Sequence, residues 1–134
     1  MCSSILMPTS KYAGFLPGKH SIEGYGAGGF RFAGMSHRGS ILALPSGIRA
    51  WNAAAFEDIT MDSLAPVFAE ARGEIEHLLI GTGAELRPIE RSLRDKLRAA
   101  GIRAEPMATA AAARTYSVLL AEDRRVAAAL IAVA

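Results

Sequence analysis

The chain has 134 residues, 51% of them hydrophobic, with a formal net charge of +2: enough for one domain with a real core, and too apolar for a disordered polyelectrolyte. That charge does not by itself imply a nucleic-acid partner, and the single cysteine, Cys2, excludes an internal disulfide or a multi-cysteine metal site. No apolar run reaches the ~20 residues that span a bilayer, so the chain reads as soluble and cytoplasmic, in a reducing compartment.

Residues 1–19, with Pro8, Gly14, Pro17 and Gly18, read as an irregular N-terminal arm, and residues 20–134 as a single domain. Residues 21–32 contain Gly24-Tyr25-Gly26-Ala27-Gly28-Gly29, which has the spacing of a dinucleotide-binding loop. Such a loop must open a helix, so that helix amides meet a pyrophosphate. Phe30-Arg31-Phe32 follows instead, and its alternation predicts a strand. The glycine string is therefore expected to be a loosened strand or turn. Residues 34–39 are expected to turn the chain into a second strand over 40–44. Pro45-Ser46-Gly47 suits a bulge or tight turn, and residues 48–51 continue that strand or pair beside it.

The pattern then becomes helical. Leu64, Val67, Phe68 and Ala71 share a face, with Asp62 or Ser63 as cap and Pro66 in the first turn. His77-Leu78-Leu79-Ile80 predicts a strand covered on both faces, ended by Gly81-Thr82-Gly83. Pro88 opens a helix bearing Ile89, Leu93 and Leu97, and Gly101 closes it. A strand over 102–107 precedes a helix capped by Thr109, which runs to about Arg124. Residues 126–133 form a final strand, although their alanines also suit a helix. Helices alternating with buried strands predict a layered α/β domain with right-handed crossovers.

Several segments act together as a signature: residues 24–32, Gly39-Ser40-Ile41-Leu42, Leu44-Pro45-Ser46-Gly47-Ile48-Arg49-Ala50-Trp51, Leu79-Ile80-Gly81-Thr82-Gly83, Met107-Ala108-Thr109 and Arg114-Thr115-Tyr116. In this order and spacing they resemble the Mth938-like domain family of unknown function, over roughly residues 20–133. Its eukaryotic members include the mitochondrial complex I assembly factor 3 and an adipogenesis-associated domain protein. The resemblance implies a three-layer α/β domain around a mixed, mostly parallel sheet with one strand reversed, preceded by a β-hairpin region. It also implies that relatives act in assembling a respiratory complex. It carries over no catalytic residue.

The best local candidate for chemistry is the strand-to-helix loop Gly81-Thr82-Gly83. Ligands of open α/β sheets favour the carboxyl ends of strands, where helix amides are unsatisfied. Thr109 begins the other helix that follows a strand, and Arg49 and Trp51 are expected to add a guanidinium fork and an aromatic wall. The expected pocket for a small anion is thus Arg49, Trp51, Gly81, Thr82, Gly83 and Thr109, weighed against purely structural roles for each. Ser46 lies outside any nucleophile elbow, and His20, His37 and His77 share no spacing. Glu57-Asp58 and Glu122-Asp123 do not share a helix face. No catalytic set, metal or cofactor is expected. Arg87, Arg91, Arg94 and Arg98 are interrupted by Glu90 and Asp95, so that helix reads as a solvated face and nucleic acid is not expected. The favoured function is a binding or assembly module with a protein partner, with Tyr25 and Phe30 either on its contact surface or in the core. The alternative is an enzyme or sensor for a small anionic ligand.

Overall fold

A computed structural model describes residues 14–134; Cys2 and Pro8 lie outside the described residues. The first described element is β1 (Phe15–Pro17), inside the stretch read from sequence as irregular. Its order comes from pairing: Phe15, Leu16 and Pro17 lie opposite Arg49, Ile48 and Gly47 of a later strand. Next come β2 (Gly24–Gly26), β3 (Gly29–Phe32) and β4 (Met35–Arg38), a three-stranded antiparallel sheet. Two Ala-Gly pairs make its turns. Ala27 and Gly28 have φ of 54° and 79°, Ala33 and Gly34 of 51° and 72°. Positive φ at both central residues is the type I′ geometry whose twist matches a hairpin. The glycine string is thus hairpin, as Phe30-Arg31-Phe32 suggests. Residues 34–39, by contrast, are not only a turn. Met35-Ser36-His37-Arg38 is weakly strand-like by itself, and pairing with β3 makes it a strand.

The main sheet continues with β5 (Ile41–Leu44) and β6 (Gly47–Ala50), a hairpin closed by Pro45-Ser46. A 3₁₀ turn (Phe56–Asp58) and the short α1 (Ala65–Ala69) lead to β7 (His77–Gly81). Then follow α2 (Arg91–Ala99), β8 (Arg103–Met107), α3 (Thr109–Ala121) and β9 (Val126–Leu130). The sheet order is β1-β6-β5-β9-β7-β8. β7 is parallel to both β8 and β9, whereas β5 is antiparallel to β9 and to β6, and β1 to β6. The sheet is mixed, with β1 and β5 running against the other four strands.

Three layers result. On one face Leu42, Leu78 and Ile80 pack against Leu64, Val67, Leu93 and Leu97, from α1, its approach and α2. On the other, Ile41, Leu79 and Leu130 meet Ala112, Ala113 and Tyr116 of α3, together with Phe30 and Phe32 of the small sheet. The step from β7 to β8 and the step from β8 back past β7 to β9 run in opposite directions across the sheet. Right-handed crossovers then require α2 and α3 on opposite faces, as found. All five residues of β9 are buried. Its alanines favour helix intrinsically, but in the centre of a sheet their small side chains let α3 pack close, and tertiary context wins.

The two main helices end alike by different means. After α2, Gly101 takes φ 83°, with Ile102 N–H bonded to Leu97 O at 2.9 Å and Gly101 N–H to Arg98 O at 2.9 Å. That is a Schellman cap, and Ile102 and Leu97 share one core cluster. After α3, Asp123 takes φ 61° and Arg124 N–H bonds Leu119 O at 3.0 Å. The helix therefore stops at Ala121 rather than near Arg124.

Tyr116 is 1% exposed, and burial pushes its phenol up to about 12. The unfolded chain ionises first, near pH 10, so stability is intact below that value and is lost as pH rises towards 12. Holding the phenolic proton across that interval is worth about 3 kcal/mol. Urea titrations across this window are expected to show that loss in the wild type and a clearly smaller one in Tyr116→Phe. Equal losses in both would rule out this phenol as the cause.

Candidate functional site

The loops after β7 and β8 meet where the direction of the crossovers reverses, the position at which open α/β sheets usually receive ligands. Gly81, Thr82, Gly83 and Thr109 are all there, but their polar groups bond one another. Thr109 Oγ1 accepts the Gly83 N–H at 3.0 Å and donates to Ile131 O at 2.8 Å. The Thr109 N–H donates to Gly83 O at 2.8 Å, and the Ile131 N–H to Gly81 O at 3.0 Å. Thr82 Oγ1 accepts the Arg87 N–H at 3.1 Å and has two carbonyls in reach of its proton, Glu85 O at 2.7 Å and Met107 O at 3.1 Å. Thr82 and Thr109 are 3% and 0% exposed. Their hydroxyls serve as stitches between β7, β8, α3 and the chain after β9.

Glycine is needed at 81 for room. A Cβ there would lie 2.9 Å from Thr109 Oγ1 and 3.0 Å from Thr109 Cα. Gly83 differs: a Cβ on it would meet nothing within 4 Å, so there is open space beside its Cα, while its N–H and C=O are both bonded to Thr109. The Arg87 guanidinium turns away to the 3₁₀ turn, 4.3 Å from the Phe56 ring centroid and 3.4 Å from Glu57.

Arg49 and Trp51 do not join this cluster. Gly81 is level with Leu130, Leu130 with Ile41, and Ile41 with Ala50, so three strand spacings, about 14 Å, separate β7 from β6. Arg49 stacks against Phe15 at 5.3 Å, and its Nε is buried without a hydrogen-bond partner among the described residues. Trp51 is a core residue whose Nε1 donates to Ser63 O at 2.7 Å.

The histidines and Ser46 are equally dispersed. Ser46 Oγ donates to the Glu70 carboxylate, and His20 bonds Pro17 O at 2.9 Å. His37 lies beside Phe32 on the small sheet, where burial holds its imidazole below the ordinary range against the opposing pull of a backbone bond to Ser40. Among the described residues no group of three or more His, Cys, Asp or Glu is placed to hold a metal ion, and no helix is long and apolar enough to cross a membrane. Phe30 is buried at 2% exposure, whereas Tyr25 remains 44% exposed.

Sequence reasoning passes over Arg103 and Arg124. They gather with Arg94, Arg98 and His77 around a cleft of about 780 Å³ at the opposite end of the parallel strands. These residues come from α2, from the starts of β7 and β8 and from the turn before β9, so no local spacing announces them.

The chain is 44% identical over 120 residues to an uncharacterized protein of Rhodobacter capsulatus, covering 90% of this chain and 87% of that one. It is 34% identical over 110 residues to the NADH dehydrogenase [ubiquinone] 1 alpha subcomplex assembly factor 3 of Xenopus tropicalis, covering 82% of this chain and 60% of the assembly factor's length. A solved Bartonella henselae chain, described as an outer membrane protein, superposes with a TM-score of 0.84 at 49% identity, covering 88% of this chain and 98% of that one. A Bordetella pertussis structure described as a Mth938-like domain does so with a TM-score of 0.72 at 30% identity, covering 84% and 85%. Residues 22–131 match the family described as a protein of unknown function (DUF498/DUF598), and the chain belongs to that Mth938-like family.

Proposed function

We propose that this protein is a cytoplasmic binding module that assists the assembly of a larger protein complex. The observation that carries the reading is the 34% identity to the assembly factor across 82% of this chain. The local chemistry agrees with it. The best strand-end loop has its threonine hydroxyls committed to backbone groups, which leaves neither free to hold a small ligand. The test is affinity capture with the full tagged chain, under conditions that separate partly built complexes from finished ones. The expected result is one stoichiometric partner, held in its immature form and absent from the chain once its complex is complete. Recovery of the chain alone at every stage would sink the reading.

The alternative is a small anion at the Gly81–Gly83 loop, and the open space beside the Gly83 Cα is the observation that favours it. It predicts a rise in melting temperature with phosphate, sulfate or carboxylates that Thr82→Val abolishes. A flat response to all three leaves the assembly reading alone.

A further inference from the structure

The cleft at the start of the parallel strands is lined by four guanidinium groups and one carboxylate, Glu76, which lies beside His77. Arg94 and Arg98 lie one turn apart on α2, Arg103 begins β8, and Arg124 sits in the turn before β9. Among the described residues, none of the four lies within 4.0 Å of a carboxylate; the ion pairs found are His77 with Glu76 and Arg87 with Glu57. Arg124 Nη2 instead lies 3.5 Å from His77 Nε2. Arg98 has a structural task, since a cation near the end of α2 offsets the helix dipole. Arg103 begins a strand and has no such task; Arg124 lies just past the end of α3, where its charge also faces a helix C-terminus. Like charges gathered from separate elements repel one another, and a bound anion would relieve that repulsion.

A second hollow, of about 480 Å³, shares Arg94, Arg103 and Ala104 with the cleft and runs on to Leu86, Pro88 and Pro106. Leu86 is 62% exposed. The two form one trough along α2 and the outer edge of β8, cationic at one end and apolar at the other. Strand addition at that edge is blunted. The Arg103 N–H points inward to Glu76 O, so alternation turns Ala104 and Pro106 outward, and Pro106 has no N–H to offer. Recognition must therefore run through side chains.

We propose that this trough receives an acidic segment of a partner protein, its carboxylates on the four arginines and an apolar side chain against Leu86. The proposal rests on the assembly reading and names the chemistry of the partner. Arginine forks pair with carboxylates bidentately. A nucleic-acid strand fits less well, because no Phe, Tyr or Trp lines either hollow to stack a base; Glu76 and Glu105 oppose either kind of anion alike.

The probe is a labelled synthetic peptide of about twelve residues with several glutamates and one leucine, followed by fluorescence anisotropy with the full chain. Binding is expected to weaken as salt rises. Arg94→Glu with Arg98→Glu should weaken it roughly tenfold or more, and Arg103→Glu with Arg124→Glu should do the same from other elements. Arg91→Glu, on the same helix but outside the trough, should change it little. A single cooperative thermal transition shows that each variant folds, with a modest drop in melting temperature expected where Arg98→Glu puts an anion at the end of α2. The proposal is overturned if either pair leaves binding intact or if Arg91→Glu matches them. It is also overturned if inorganic phosphate displaces the peptide fully at equal concentration, or if an oligonucleotide of similar length binds more tightly with the same dependence. Partner capture that survives both charge reversals would overturn the trough while leaving the assembly reading in place.

Discussion

Gly29→Ala is expected to lower the free energy of unfolding by about 3 kcal/mol or more, near the upper end for a single substitution. A Cβ at this position would lie 2.0 Å from His37 O, 3.0 Å from His37 C and 3.1 Å from Arg38 Cα. All three are backbone atoms of the paired strand β4, so no rotamer change can make room. The hairpin must part, and with it the bond from Gly39 N–H to Gly28 O at 2.7 Å and the seating of Phe30 and Phe32 in the core beside Tyr116. Gly28 is the internal control. It has φ 79° and open space around its missing Cβ, so Gly28→Ala should cost only the left-handed penalty of about 1 kcal/mol. Urea denaturation of both variants measures the contrast. Equal losses would show that backbone conformation, rather than the close approach of β4, dictates glycine here.

Thr109→Val is expected to cost about 3 kcal/mol, although valine has nearly the same shape. The change removes the one oxygen that both accepts the Gly83 N–H and donates to Ile131 O. Two groups lose their partners at a 0% exposed position that water cannot readily reach. Leaving a buried donor or acceptor unsatisfied costs about 1–3 kcal/mol each. Thr109→Ser keeps the oxygen and loses only a methyl, for about 1 kcal/mol. Thermal and urea unfolding of the pair should therefore rank Val well below Ser. The reverse order would mean that packing of the methyl outweighs the stitch between the loops.

Much of the architecture is legible in local chemistry. Leu78, Leu79 and Ile80 form a solid apolar run, and β7 is covered on both faces. Gly101 ends α2 because a left-handed residue is needed there and glycine takes that conformation freely. The end of α3 is hidden because Asp123 takes the same conformation without a glycine to mark it. β4 is hidden because its order comes from β3, and the ordering of Phe15–Pro17 likewise comes from β6.

The candidate site divides in the same way. Strand-end logic brings Thr82, Gly83 and Thr109 together, since each begins the connection after a neighbouring parallel strand. It cannot place Arg49 and Trp51, because sequence spacing carries no information about sheet order, and β5 and β9 intervene. The arginine trough is the converse case. Along α2 alone, acidic neighbours make the arginines look like an ordinary solvated face, and only the fold adds Arg103 and Arg124 to them.

The position of β9 has a consequence for how the chain acquires its fold during synthesis. β9 is the hinge of the whole sheet, joining the antiparallel half through β5 to the parallel half through β7. Every strand it unites is made before it. Until residues 126–130 leave the ribosome, β5 and β7 each present an unpaired apolar edge, and the two halves have nothing to hold them in register. Such edges are the surfaces on which incomplete chains associate wrongly. Commitment to the native sheet therefore falls to a segment of five small or aliphatic residues at the end of the described chain, and sheet closure is a late, long-range event rather than one that proceeds strand by strand.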